Sequence, residues 1–301
     1  RMINEYLFSV SLATNHFKTD YKDRDDTPVD DFRDNTSYRD HSYMARAQLQ
    51  RFFNDGDNII IGSEISLDQS RSNVLRNIYE QPEQKTSAGF AKYRMQLRDN
   101  LILDMGMRYD YRDVTGGEGY SIKSFQAFSP KISLIHNMNS SLITYLSYNK
   151  GFRAPSISEL FLEYESSYGL LLQGNPTLKP ESLNSIESGF KLQKEGVSYF
   201  GNVFFNQYSD MIDFIYTIPV RSVNRETVKG IGAELGSNLY IDKTKSNFNF
   251  TYSYLNLNEG SDAPMLYRPK HKIRFTWVQQ LSLLDFRLST RYVSKQLYED
   301  F

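Results

Sequence analysis

The chain has 301 residues, with 35 Lys and Arg against 36 Asp and Glu and a formal net charge of −1, so it carries no basic footprint for nucleic acid and no acidic tail. It contains no Cys and four His, which excludes a disulfide scaffold and thiolate metal sites. Mean hydropathy is −0.54 and no apolar run approaches the roughly 18 residues of a membrane helix, yet bilayer-crossing strands alternate and leave no such run, so a membrane barrel is not excluded.

No charged, apolar and small-residue order of a signal peptide is visible from Arg1 onward. Tyr6 to Thr14 alternates loosely between apolar and polar residues, as a half-buried strand does. The stretch Asp20 to Asp40 then carries eight Asp in one expected connector. Calcium prefers such oxygen donors, which makes Asp23, Asp25, Asp26, Asp30 and Asp31 weak calcium candidates, but the Gly of the EF-hand order is missing and a solvated loop explains the charge equally.

Alternation returns at Asn58 to Asp68 and becomes strict at Leu101 to Arg112. There Leu101, Leu103, Met105, Met107, Tyr109 and Tyr111 fall on one face and Asp104, Arg108, Asp110 and Arg112 on the other. The same split recurs in Phe248, Phe250, Tyr252 and Tyr254, and again in Phe286, Leu288, Thr290 and Tyr292 against Asp285, Arg287 and Arg291. Turn-like clusters stand at 54–57, 98–100, 136–140, 193–196, 242–245 and 279–283, and longer connectors at 18–41, 71–85, 113–124, 151–182, 209–222 and 257–269. That gives about thirteen antiparallel strands, most of about 10 to 14 residues, joined by tight and long connections in turn.

A soluble sandwich would alternate in the same way with shorter strands, of about five or six residues. Strands of about 9 to 11 residues, with short turns at one end and long loops at the other, match an all-β antiparallel transmembrane β-barrel of the outer membrane. Its charged face points into a polar lumen and its apolar face meets lipid. About thirteen strands do not close a barrel of even strand number, so a partial barrel over residues 1–301 is expected.

The rhythm breaks at Asn149 to Phe161, "NKGFRAPSISELF". Pro155 lacks a ladder donor and holds Ala154 extended, so the strand through Tyr148 is expected to end near Gly151. The excursion is apolar and aromatic (Leu160, Phe161, Tyr164, Tyr168), and Ser156 to Glu159 reads as the capping box of a short helix.

"GFRAPSISELF", "GNPTLKPE" and "IESGFKL", followed by "NRETVKGIGAELG" and "YRPKHKIRFTW", resemble the mid-barrel signature of TonB-dependent outer-membrane receptors, from about Leu101 onward. The resemblance implies a 22-stranded barrel with an N-terminal plug, energised uptake of a scarce nutrient through the TonB complex, and no enzymatic activity; neither plug nor energy-coupling box is found in this chain. It implies as ligand a ferric siderophore first, with haem, cobalamin or another nutrient as alternatives and an accessory surface lipoprotein as a further partner. A passive porin, a barrel enzyme or an adhesin remain as other classes. No His lies between Pro155 and Asn175, so an axial haem ligand there would have to be the phenolate of Tyr164 or Tyr168. Tyr164, Tyr168, Phe161 and Arg153 are the candidate ligand-binding residues, with loop packing as the alternative for the aromatics and anchorage of the loop base for Arg153. The four His, at 16, 41, 136 and 271, show no metal-ligand spacing, and no catalytic arrangement can be argued.

Overall fold

The computed structural model describes residues 6–22, 35–53, 56–72, 81–116, 122–165, 171–215, 218–260 and 263–298. The strands are β1 (Tyr6–Lys22), β2 (Asn35–Phe52), β3 (Asn58–Ser72), β4 (Glu83–Arg98), β5 (Leu101–Thr115), β6 (Lys123–Asn137), β7 (Leu142–Arg153), β8 (Glu163–Glu165), β9 (Leu171–Gln173), β10 (Glu181–Lys194), β11 (Val197–Ile215), β12 (Val220–Ile241), β13 (Ser246–Glu259), β14 (Ala263–Pro264), β15 (His271–Gln280) and β16 (Asp285–Val293), with one short helix, α1 (Ile157–Phe161). Thirteen of these strands form one antiparallel path in which each pairs with the next, from β1 to β7, then β10 to β13, then β15 and β16. β8 and β9 form a small ribbon that joins β12 through β9, and β14 pairs with β13.

The expected number of long strands is therefore met, but their lengths are not. They run from 9 residues in β16 to 22 in β12, and the expected connectors shrink because β1 reaches Lys22, β2 begins at Asn35, β7 ends at Arg153 rather than Gly151, and β11 runs to Ile215. Above the bilayer both faces of a hairpin meet water, so the apolar alternation fades while the backbone ladder continues.

Cross-strand register puts the three alternating apolar sets on one face. Met105 stands opposite Ile132, Ile132 opposite Tyr148, Tyr148 opposite Ile186, Ile186 opposite Phe205 and Phe205 opposite Ile231. Leu235 then meets Tyr252, Tyr252 meets Ile273 and Ile273 meets Tyr292. This face exposes Met107, Leu146, Ile186, Val203 and Ile231. From Leu101 to Tyr111, ten rises of about 3.3 Å at a tilt of about 40° span about 25 Å, the height of an outer-membrane apolar band. The opposite face is polar and less exposed, as on the concave side of a curved sheet; Asp110, Ser133 and Ser185 are buried there.

Charges on the polar face pair across strands. Arg94 on β4 donates to both oxygens of Asp104 on β5, at 2.7 and 2.6 Å. Arg108 donates to Glu64 at 2.8 Å and to Asp110 at 2.9 Å, and Tyr145 donates to Glu187.

Aromatic rings cover glycines directly opposite them. Gly62 faces Phe90, Gly232 faces Phe204, Gly236 faces Phe200, Gly189 faces Tyr145 and Gly201 faces Phe190. A Cβ at any of these glycines would fall against the facing ring, whereas one at Gly89 would meet nothing. Each ring reaches over the bare backbone of the glycine it faces, as aromatics rescue strand glycines elsewhere.

Two outcomes follow from this arrangement. Met105→Arg, on the lipid-facing row, is expected to cost about 2 to 4 kcal/mol in reversible unfolding from bilayers, and a spin label there should report lipid while one at Asp104 reports water. Gly232→Val should weaken the heat-resistant folded band on gels by colliding with Phe204, whereas Gly89→Ala should leave it unchanged.

Candidate ligand-binding mouth

The long connections all lie at one end of the sheet, and the largest leaves it at Arg153. Ala154 and Pro155 are buried, and Ser156 caps α1: its hydroxyl accepts from the Glu159 N–H while the Glu159 carboxylate accepts from the Ser156 N–H at 2.8 Å. The capping box read from the sequence is thus formed. α1 turns its apolar side toward the concave face. Leu160 and Phe161 are 0% and 2% exposed, packed with Val114 of β5, Phe125 of β6, Ile212 of β11 and Leu178. A Cβ on Gly116 would press into the Phe161 ring, so the loop seats closely on the barrel wall.

Arg153 anchors this loop. Its guanidinium donates to the Glu159 carboxylate at 3.0 and 2.9 Å and to Glu181 of β10 at 3.1 Å, and Glu181 also accepts from the backbone N–H of Ile212 at 2.9 Å. One planar fork thereby ties β7, α1 and β10 together, and β11 joins through Glu181. Desolvation pulls the Arg153 pKa down, but the bonds to Glu181 and Glu159 outweigh it and the net direction is up.

The returning segment is pinned to β12. Asn175 donates to the Ser222 carbonyl at 3.0 Å and accepts from the Thr177 N–H at 3.0 Å, and its own N–H reaches the Glu159 carbonyl at 2.8 Å. Asn224 exchanges two 2.9 Å bonds with the Lys179 backbone and donates to the Asp210 carbonyl at 2.7 Å. Gly174 leaves no room for a Cβ beside the Leu160 and Leu162 backbone.

The sequence-derived candidates separate accordingly. Phe161 lies inside the packing cluster, and Arg153 anchors the loop. Burial of a large apolar ring over the sheet and a guanidinium fork between two carboxylates match the packing and anchoring alternatives read from the sequence for Phe161 and Arg153. Tyr164 lies on β8, half-buried and held by pairing with Leu172. It approaches Tyr38 of β2, whose hydroxyl is raised in pKa first by burial and then by Asp40 and Tyr164, against a lowering bond from Ser72. Tyr168 and the calcium candidates Asp23, Asp25, Asp26, Asp30 and Asp31 lie outside the described residues. Among the described residues no group of three or more His, Cys, Asp or Glu could hold a metal ion.

Spacing did not reveal a second feature of the mouth. A cavity of about 380 Å³ opens between the outer ends of β11, β12 and β13, lined by Asp213, Arg225, Glu259, Met265 and Tyr267 among others. Arg225 pairs there with Glu259 at 3.0 Å and with Asp213 at 3.5 Å. The three charges come from three strands, so only the sheet register brings them together; "NRETVKG" marked Arg225 without its partners. A larger groove of about 1140 Å³ runs along the concave face past Arg46, Phe90, Arg108, Lys131 and Glu187.

Residues 4–301 match the family model described as TonB dependent receptor-like, beta-barrel. The chain belongs to that family. It is a receptor barrel of the bacterial outer membrane, in a family of transporters and receptors rather than enzymes. Its fold is similar to that of the copper transporter OprC (14% identity, TM-score 0.72, covering 86% of this chain and 44% of that one). It is also similar to the siderophore receptor PirA from Pseudomonas aeruginosa (14%, 0.69, 87% and 50%). A third likeness is to the hemophore receptor HasR of Serratia marcescens, solved with its hemophore HasA and heme (15%, 0.69, 97% and 59%). The chain spans about half the length of these structures.

In the whole receptor, Arg153→Ala is expected to leave Glu159 and Glu181 without their shared cation and to free the 154–162 segment. Amide exchange there should rise roughly tenfold or more with the barrel still folded, and Arg153→Lys should restore little because an ammonium cannot fork to two carboxylates.

Proposed function

We propose that the whole receptor binds a ferric siderophore at the mouth described above and imports it across the outer membrane with energy delivered by the TonB complex. The observation that carries the reading is the family match over residues 4–301 together with a mouth in which the loop after Arg153 is fixed inward on the barrel wall. A loop held this way narrows the opening and sets Tyr164 beside the concave face, where a ring can stack on a planar chelate with about 0.5 to 1.5 kcal/mol beyond burial. Tyr168, from the sequence alone, is proposed beside it. The second reading is haem, favoured by the similarity to HasR. What supports a chelate over haem is that no His stands between Pro155 and Asn175 to ligate iron.

The two readings separate by substitution. In the whole receptor, Tyr164→Phe with Tyr168→Phe should bind a ferric catecholate chelate normally, and the double Ala variant should lose roughly tenfold by fluorescence quenching, with the barrel intact. If the Phe pair already fails for haem and shifts the haem absorption bands, phenolate ligation and the haem reading stand instead. Unchanged affinity in both variants removes these tyrosines from the site.

A further inference from the structure

Two of the four His meet through register rather than spacing. His16 of β1 stands directly opposite His41 of β2, His41 opposite Gln69 of β3, and Gln69 opposite Glu83 of β4. One row across these strands therefore carries two imidazoles, an amide and a carboxylate, all on one face. Leu12 and Ile65, further along the same strands on that face, are 79% and 59% exposed, so the row looks outward, away from the concave side. It lies beyond Tyr43, toward the end of the sheet that bears the long connections, where water reaches it.

The two rings turn their Nδ1 atoms toward each other, 2.5 Å apart, with centroids 4.7 Å apart and planes at 72°. Nitrogens that close hold a single proton between them, so at least one is bare. The far nitrogen of His16, Nε2, lies 3.3 Å from the Thr14 hydroxyl, and the Tyr43 ring stands edge-on at 5.9 Å. Both contacts steady the His16 ring, and the first suits the tautomer with its proton on Nε2 and its lone pair on Nδ1. Gln69 is steadied from its other side. Its amide nitrogen donates to Glu83 at 3.2 Å, Lys85 meets Glu83 at 2.8 Å, and among the described residues no other bond uses the Gln69 carbonyl oxygen.

Two imidazole nitrogens and an amide oxygen, two of the three side chains already oriented by an outer partner, form a donor set for one metal ion. An ion about 2.0 to 2.1 Å from each nitrogen needs them about 2.9 to 3.3 Å apart, so the exposed rings part by about 0.4 to 0.8 Å as the ion replaces their proton. We propose that His16, His41 and Gln69 bind one divalent transition ion that prefers imidazole (Cu²⁺, Ni²⁺ or Zn²⁺) through both Nδ1 atoms and the Gln69 carbonyl oxygen, with water in the remaining positions. In the next row out Lys18 is matched by Asp20 at 2.8 Å, and the exposed Arg39 repels an ion only weakly through water, so the donors decide. The ion ties β1 to β2 and β3 at the outer rim and is not cargo, because it sits on the face opposite the mouth loop. A count of His, Cys, Asp and Glu passes the site over, since its third donor is an amide.

The test uses the whole receptor without a histidine tag, stripped with a chelator, dialysed and titrated with Cu²⁺, and read by calorimetry and by the electron spin-echo modulation of coordinated imidazole. Wild type should show a saturable site with two imidazole nitrogens on the ion. His16→Ala and His41→Ala should each weaken that site roughly tenfold or more and leave one imidazole, while Gln69→Leu should weaken it several-fold and keep both. His136→Ala, at the other end of the sheet, should change nothing. Heat-modifiable migration confirms that each variant is folded. The absence of a saturable Cu²⁺ site in wild type, or unchanged binding and signal in both the His16 and His41 variants, overturns the proposal. Full displacement of Cu²⁺ by equimolar Ca²⁺ would overturn it too, since a hard ion competes only where oxygen donors make the site.

Discussion

Everything in this molecule depends on the backbone having no water to bond to inside a bilayer. Each N–H and C=O left unpaired there costs several kcal/mol, and a strand can satisfy them only through neighbours on both sides. The thirteen-strand path, in which every long strand pairs with the next, is the response to that cost. It explains why the turns at 99–100 and 195–196 are tight: a connection at the inner interface that wanders leaves ladder groups open. It also explains why aromatic side chains sit over glycines. A glycine gives close approach but exposes the backbone, and Phe204 over Gly232 or Phe90 over Gly62 restores the cover that a side chain would have provided.

A second constraint acts at the mouth. A long loop on a barrel rim has nothing to pack against except its own side chains and the upper wall. Here both are used. Leu160 and Phe161 bury themselves against Val114, Phe125 and Ile212, while Arg153 places one charge between two carboxylates on different elements. The apolar contacts are non-directional and hold the loop down; the guanidinium fork is directional and sets its register on the sheet. Asn175 and Asn224 complete the anchorage by bonding backbone that the loop would otherwise leave open. The pieces of sequence that carry the family resemblance are thus, in this chain, largely the parts of one clamp.

Along the lipid face, chemistry changes with height. Tyr6 and Phe53 sandwich the Arg51 guanidinium at the inner end, at 5.3 and 4.7 Å, where a cation with an apolar stem can reach headgroups. Aliphatic residues fill the middle, Tyr43, Tyr109 and Tyr111 mark the outer boundary, and Arg39 and Arg71 lie beyond it on the adjoining strands. The concave side shows no such gradient. Several of its charges pair across strands, as Arg94 with Asp104 and Arg108 with Glu64, because water or protein, rather than lipid, lies against them.

The sequence by itself determined the strand count, the face each alternating set presents, the capping box at Ser156 and the point where the sheet releases its largest loop. Those features rest on residues within a few positions of one another, where period two and proline geometry leave little choice. Only the tertiary structure decided how far the strands run above the membrane, since polar residues on both faces erase the alternation there. It also placed Phe161 in the packing cluster under the loop and Arg153 between Glu159 and Glu181. Tertiary pairing alone brought together Arg225 with Glu259, Arg153 with Glu181, and Lys18 with Arg39 and Arg71. Each of these sets spans residues between 21 and 53 apart in the chain, and what unites them is the register between strands, which local sequence constrains through its apolar face but does not print.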